Sequence, residues 1–512
     1  MRGAQGASTS APPVQSVLRP GETCWRIEQA DRMAFLVDGA AYFAAAKAAM
    51  LNARHSIWLL AWVFDPLTRL TPDRARRSGD PASADRLGLM LRRLAALNPA
   101  LDVRVLAWDM PPVIGVGQGF PCQRGRAYFL GSKVKYRLDS TLPNSACHHQ
   151  KTLIIDGRVA FVSGGDLGAD RWDTCEHEDD TPERRLPSGK RYPARHEVSL
   201  MVDGTAANAL GDLFSDRWKR ATGETLPRPP SPAVDDASPW PPIIEPDLRR
   251  APFALARTDP KWRGRPGIEE CLHLHLAAIK AARQVIYLEN QYLASRLIVA
   301  ALAQRLIEPD GPEIIAIGPA HSPSFFDRMA MDSARMMAIN QLIEADKYGR
   351  FHAFCARTPQ DQPVIVHSKV AVIDDWFLRI GSANLNNRST GLDSELDIAI
   401  EATDEEMRAA IRAFRAREIG HFMGREPEDV VAAIGEHGSV GKAIDALDTY
   451  PHRRLKPIGA ETPGRIERFI ASWGLGDPLR TDDAWRPWLR RAHIRRDLQR
   501  LLPDAPRDLL EP

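Results

Sequence analysis

Two stretches decide the reading of this chain: HHQKTLIID at 148–156 and VHSKVAVID at 366–374. Each holds the pattern H-x-K-x4-D, as His149, Lys151 and Asp156 in the first and His367, Lys369 and Asp374 in the second. The chain has 14 histidines. One accidental match among that number has an expectation of roughly a few hundredths. Two matches in equivalent places are far rarer. A lone histidine on a strand is ordinarily structural; the repeated pair reverses that reading.

The spacing has a physical meaning. Residues i and i+2 of a strand point to the same face. His149 and Lys151 therefore project together, as do His367 and Lys369, whereas His148 points the other way and reads as structural. If the two faces meet, two imidazoles and two ammonium groups converge. A phosphodiester is a compact anion whose oxygens suit two ammonium groups, which also stabilise the charge that grows during attack. One imidazole can attack phosphorus to give a phosphohistidine. The other can protonate the leaving alcohol and then deprotonate water.

Each copy is followed by a small-residue turn, SGGDLGADR at 163–171 and GSANLNNR at 381–388. Gly164, Ser382 and Asn384 are candidate substrate contacts, because small residues admit an anion to the backbone and an amide donates to it. Asp166 stands where Asn384 stands in the second copy. A carboxylate is a poor phosphate ligand, so Asp166 is expected to orient Arg171 or a backbone group. A nucleophilic imidazole needs its second nitrogen held. Glu197 in RHEVSLMV and Glu395 in DSELDIAI, at equivalent strand starts, are the candidate orienters.

Outward from these stretches the chain repeats itself. A helix is expected over 40–53, with Tyr42, Phe43, Ala46, Met50 and Leu51 on one face, and strands over 57–65, 103–109, 133–139, 151–156, 159–165 and 197–203. The second half expects helices over 268–283 and 295–307, and strands over 285–293, 313–319, 350–356, 364–374, 377–385 and 395–402. The aromatic run at 57–65 reads as core, and Asn290 and Gln291 as either a turn or part of a pocket. The expected fold class is α/β: a duplicated, two-lobed protein with a mixed sheet and flanking helices in each lobe. The expected segments are a disordered N-terminus at 1–20, a first lobe at 21–222, a proline-rich linker at 223–250, a second lobe at 251–424 and a helical extension at 425–512. Trp473, Trp485 and Trp488 are the expected packing anchors of that extension.

Composition narrows the classes. A hydrophobic fraction of 44% and a charged fraction of 26% fit a globular protein with a sizeable core. A net charge of +2 lacks the basic excess of a dedicated nucleic-acid binder, so no nucleic acid is expected as partner. The six cysteines form no CxxC pair, so no metal site is expected. The N-terminus shows no apolar leader and no apolar stretch reaches about 18 residues, so neither a secretory signal nor a transmembrane helix is expected. A cytoplasmic or peripheral-membrane protein, a monomer, is the expectation, with export by another route left open.

The paired motifs resemble the phospholipase D superfamily, and the resemblance extends beyond them. HHQKTLIID with AFVSGGDL and RWDT resembles the first catalytic block of phospholipase D proper. YLENQYL (287–293) resembles the block before the second motif, and VHSKVAVIDDWFLRIGSANLNNRS with DSEL resembles the second block. The likeness covers roughly residues 30–425. It implies one active site between two lobes, no cofactor, and His149 as nucleophile with His367 as acid and base. It implies Lys151, Lys369 and Asn384 as phosphate ligands, Glu197 and Glu395 as histidine partners, and Asp156 and Asp374 as structural supports. The implied substrate is a phospholipid at a membrane or vesicle surface, hydrolysed or transferred to another alcohol. A cardiolipin synthase-type transferase and a nuclease of the same superfamily are the alternatives.

Overall fold

The computed structural model describes residues 16–73, 85–112, 115, 119–227, 238–322, 328–462 and 464–504. Among these, sixteen strands form one mixed sheet. Its centre is an antiparallel pair of long strands, Arg26–Val37 and Leu248–Asp259, in register through Ala30 and Ala251. Outward from this pair the two sides run through the same series. On one side lie Val198–Asp203, Val159–Ser163, Thr152–Ile155, Ser56–Ala61, Asp102–Trp108 and Lys135–Asp139. On the other lie Glu395–Glu401, Phe377–Gly381, Lys369–Ile373, Val285–Asn290, Glu313–Gly318 and Phe351–Ala356. The duplication in sequence is thus a two-fold relation in space, and the lobes share one sheet.

The strands are apolar because helices cover both faces. Ser56–Ala61 and Val198–Asp203 are buried along their whole length. Helix Asp38–Leu51 buries Tyr42, Phe43, Ala46 and Met50, as its periodicity predicts, but Leu51 closes the helix exposed. Helices Thr205–Thr222 and Glu405–Met423 occupy equivalent places after the last strand of each lobe.

Several segments differ from expectation. The expected disordered segment falls outside the described residues up to 15, but Val17 and Leu18 are buried and the Val17 N–H donates to Glu401 Oε1 at 2.6 Å. Within the expected linker, residues 228–237 lie outside the described residues. Trp240 is buried in the first lobe's core with the Arg32 guanidinium 4.5 Å above its ring, and a strand begins at Leu248. The extension after 425 is not purely helical, since Leu455–Pro457 pairs with Phe351–Ala356 and caps the sheet edge. Trp485 and Trp488 are 84% and 61% exposed, so they anchor nothing; Leu479, Ile494 and Leu498 do. Trp473 instead carries the Arg491 guanidinium 3.8 Å above its ring.

The last residue of each motif fixes a strand start. Asp156 accepts from the N–H groups of Arg54, His55 and Ser56 at 2.9, 2.7 and 2.7 Å. Asp374 accepts from those of Arg283, Gln284 and Val285 at 2.5, 2.7 and 2.7 Å. Both sit at positive φ, 56° and 47°, where a short polar side chain is tolerated. Three amides and one carboxylate are a strong set, since bonds to charged groups exceed neutral ones. Asp156→Ala is therefore expected to destabilise the protein by about 3 kcal/mol, read as a lowered urea midpoint at unchanged slope. Asp156→Asn, which keeps an acceptor oxygen and tolerates the backbone, should cost clearly less.

Candidate active site

The two histidines enter the site just before their strands, and each is tied to the opposite lobe. The His149 N–H donates to the carbonyl of Ser394, and the His367 N–H to that of His196, both at 2.9 Å. Residues 394 and 196 each directly precede an orienting glutamate. The side chains follow the same exchange. His149 Nδ1 donates to Glu395 Oε2 at 2.9 Å, and His367 Nδ1 lies 2.9 Å from Glu197 Oε1. Each imidazole is thus held by the carboxylate of the other copy. This arrangement leaves both Nε2 atoms for chemistry.

The lysines lie in the same place. Lys151 Nζ donates to the His149 carbonyl at 2.7 Å, and Lys369 Nζ donates to that of His367. A Cβ on Gly164 would stand 3.2 Å from Lys369 Cδ and 3.3 Å from the His367 carbonyl, so the first turn packs directly on the second motif. A Cβ on Gly165 would meet Glu197 Oε1 at 2.4 Å. The paired glycines therefore make room for Glu197 and Lys369. Both imidazoles are largely buried, with the His149 and His367 side chains 13% and 10% exposed.

Burial sets the electrostatics. It holds His149 well below the ordinary imidazole value, helped by the charges of Lys151 and Lys369. It does the same to His367, with Lys369, Arg195, Arg171 and Lys151 adding to it. Burial also lowers Lys151 and, much further, Lys369, against the pull of nearby carboxylates. It pushes Glu395 up to about 7, opposed by Lys151, Ser382 and Ser389. The imidazoles are thus disfavoured as cations beside Lys151 and Lys369, an arrangement that suits a bound anion.

The other expected residues sort as follows. Asp166 Oδ1 accepts the Trp62 N–H at 2.8 Å, the backbone alternative of the two expected for it. Ser382 was expected on substrate, but its hydroxyl donates to Glu395 and its carbonyl lies 3.1 Å from His149 Nδ1, so it acts through that pair. Asn384 is buried with Oδ1 unpartnered among the described residues. His148 lies between Asp139, at 2.9 Å, and Ser394, away from the site. Asn290 closes a turn, its Oδ1 accepting from Tyr292 and Leu385 N–H groups.

Four participants were not singled out in the sequence. Trp62, in a run expected to be core, is half-buried and meets the His149 ring edge-on at 6.3 Å, stacked in turn on Trp108. Ser389 donates to Glu395 Oε1 at 2.7 Å. Arg195 places Nη1 3.8 Å from Glu197, beside Arg171 at 3.9 Å. Only adjacency to Glu197 hinted at Arg195.

The chain is similar in sequence and fold to several known proteins. The model of the cardiolipin synthase, PLD-like domain matches residues 275–417. The chain is 24% identical over 434 residues to phospholipase D A of Dictyostelium discoideum, covering 72% of this chain and 32% of that protein. It is 24% identical over 479 residues to phospholipase D alpha 4 of Arabidopsis thaliana, covering 72% of this chain and 61% of the other. A cardiolipin synthase of Geobacillus kaustophilus is 26% identical over 288 residues, covering 54% of this chain and 46% of the other. The chain thus spans between a third and two thirds of these relatives. The solved phosphatidylserine synthase of Haemophilus influenzae superposes with a TM-score of 0.53 at 13% identity, covering 81% of this chain and 95% of that one, and shares its fold.

Imidazole NMR tests the electrostatics directly. His149 and His367 should both titrate below the ordinary value of about 6.5, staying neutral as pH falls through it. Lys151→Met removes one of the charges that disfavour protonated His149, so the His149 midpoint should move up. An unmoved midpoint would mean that burial alone sets it.

Proposed function

We propose that the chain is a member of the phospholipase D superfamily and, within it, a phospholipase D, hydrolysing a glycerophospholipid to phosphatidic acid and the free head-group alcohol. The observation that supports this is the exchange of carboxylates between the copies, which holds both imidazoles by Nδ1 and leaves Nε2 of each for chemistry beside Lys151 and Lys369.

The steps follow from the contacts. Lys151, Lys369 and Asn384 hold the phosphate oxygens. His149, with its Nδ1–H on Glu395, attacks phosphorus through Nε2. The P–O bond to the head group breaks, and His367 gives its Nε2 proton to the departing oxygen. His367 carries that proton only once the phosphate charge offsets the neighbouring cations, so binding and proton uptake are linked. Neutral His367 then takes a proton from water. The resulting hydroxide displaces His149 from phosphorus and releases phosphatidic acid. An alcohol in place of water gives the transphosphatidylated lipid. Among the described residues no helix is long and apolar enough to cross a membrane; the proposed substrate is a phospholipid presented at a membrane or vesicle surface.

A second reading is transfer to the hydroxyl of another phosphatidylglycerol, which the matched domain model favours. The same centre performs it, and only the acceptor differs.

The test is incubation with phosphatidylcholine vesicles and 1-butanol, with products read by mass spectrometry. Phosphatidic acid and phosphatidylbutanol are expected. His149→Ala and His367→Ala should each lower turnover by more than about 10³-fold, as when one member of a catalytic unit is removed. Near-normal turnover in either variant would sink that residue's assignment. Phosphatidic acid without phosphatidylbutanol would exclude a phosphatidyl-enzyme that alcohols can capture. Cardiolipin from phosphatidylglycerol vesicles, with phosphatidylcholine untouched, would select the second reading.

A further inference from the structure

A second cluster of buried titratable groups lies behind Glu197. It contains Asp38, His177, His196 and His421, whose candidate donor atoms all lie within 4.8 Å of one another. The four differ in how they are held. His196 has both ring nitrogens on carboxylates, Nδ1 2.9 Å from Asp38 Oδ1 and Nε2 2.9 Å from Glu289 Oε2. It has no free nitrogen to offer. The other three do have a free atom. Asp38 Oδ2, His177 Nε2 and His421 Nε2 are all buried without a hydrogen-bond partner among the described residues. Asp38 and His177 are 1% and 3% exposed, so neither atom is met by bulk solvent.

The far side of each ligand is fixed. His177 Nδ1 donates to Asp173 Oδ2 at 3.0 Å, and that carboxylate also receives Arg184 at 3.1 Å. His421 Nδ1 donates to the Glu418 carbonyl at 2.7 Å. Asp38 Oδ1 accepts from His196 and from the Glu197 N–H at 3.2 Å. Holding Nδ1–H on a carboxylate or a carbonyl sets the tautomer whose Nε2 binds a metal, and raises its basicity. His177 Nε2 and Asp38 Oδ2 are 3.8 Å apart, and the His177 and His421 ring centres 5.4 Å. Tetrahedral ligands at zinc-like bond lengths are about 3.3 Å apart, close to the separation of His177 Nε2 and Asp38 Oδ2.

Charge points the same way. Asp38, Asp173 and Glu289 are buried together against two cations in direct contact, Arg184 and His196. The excess is negative. The equivalent buried cluster of the first lobe, His148 and Asp139 with Arg217 at 2.9 Å, carries its own balancing arginine. We propose that Asp38, His177 and His421 form a binding site for a divalent first-row transition ion of the zinc type, separate from the catalytic centre. Two imidazoles and one carboxylate suit such an ion and not magnesium or calcium, which take oxygen ligands.

The site joins three distant parts of the chain. Asp38 opens the first helix of the first lobe, His177 follows the RWDT stretch, and His421 lies on the second lobe's helix Glu405–Met423. The ion would pin that helix to the first lobe one residue behind Glu197, which holds His367. It is a positioning element, and its ligands do not touch substrate.

The test uses the full chain with any affinity tag removed and metal stripped by a chelator. Titration with Co²⁺ alone should give visible d–d bands that saturate at about one equivalent per chain. Zn²⁺ should raise the melting temperature by several degrees, and Mg²⁺ should not. His177→Gln and His421→Gln should lose the bands and the shift, while His493→Gln, in the Asp482–Asp483–His493 group, keeps both. No saturable uptake, or bands that survive in both His177→Gln and His421→Gln, would overturn the proposal. X-ray absorption on the zinc-loaded wild type needs no variant: imidazole nitrogens at about 2.0–2.1 Å are expected, and their absence overturns the site even if the variants fail to fold.

Discussion

Everything in the site hangs on one exchange: the carboxylate of each copy holds the imidazole of the other. Glu395 reaches His149 and Glu197 reaches His367, both at 2.9 Å. Half the chain folded alone would present an imidazole with an unheld Nδ1 and a carboxylate without its imidazole partner. Both are costly. The exchange therefore acts on stability as well as on chemistry. It also explains the central pair of strands. Arg26–Val37 and Leu248–Asp259 lie antiparallel, which places the two lobes about a two-fold axis, and only that symmetry brings position 197 to 367 and 395 to 149.

The symmetry is broken where the chemistry needs it to be. Glu395 is surrounded by hydroxyls, from Ser382 and Ser389. Glu197 is flanked instead by the guanidiniums of Arg171 and Arg195. Asn384 in one turn is Asp166 in the other, and Asp166 is spent on the Trp62 amide. Two imidazoles that began as copies thus stand in different fields. One lies beside neutral donors and the other beside extra positive charge. The proposed division into nucleophile and acid needs such a difference, because the same group in the same field cannot serve both tasks in one step.

How much of this was legible in the sequence depends on range. The motif strands, the two turns and the glutamates at 197 and 395 are set by period-2 alternation and by spacing within a few tens of residues, and they could be read. The central strands could not. Arg26–Val37 mixes charges into its apolar run, and Leu248–Asp259 contains Pro252 and follows a proline-rich stretch, which argues against a buried strand. The sheet accepts Pro252 opposite Gln29 all the same. Tryptophan was read as a packing residue on propensity alone. Trp485 and Trp488 contradict that, since nothing in a local sequence says which face the rest of the molecule covers.

Ligand sets show the same limit more sharply. The two H-x-K pairs are visible because two residues on one strand need only the strand's own period. Asp38, His177 and His421 have no mutual spacing to read. They meet only because the first lobe's opening helix, the loop after its turn and the closing helix of the second lobe converge behind Glu197. Absence of a CxxC pair argues against a local metal motif, but it is silent about a site assembled across lobes. The same holds for Glu197 and Glu395. Their identity could be inferred from position, but which histidine each one holds is a property of the two-fold axis, and the axis is written only in the pairing of the two central strands.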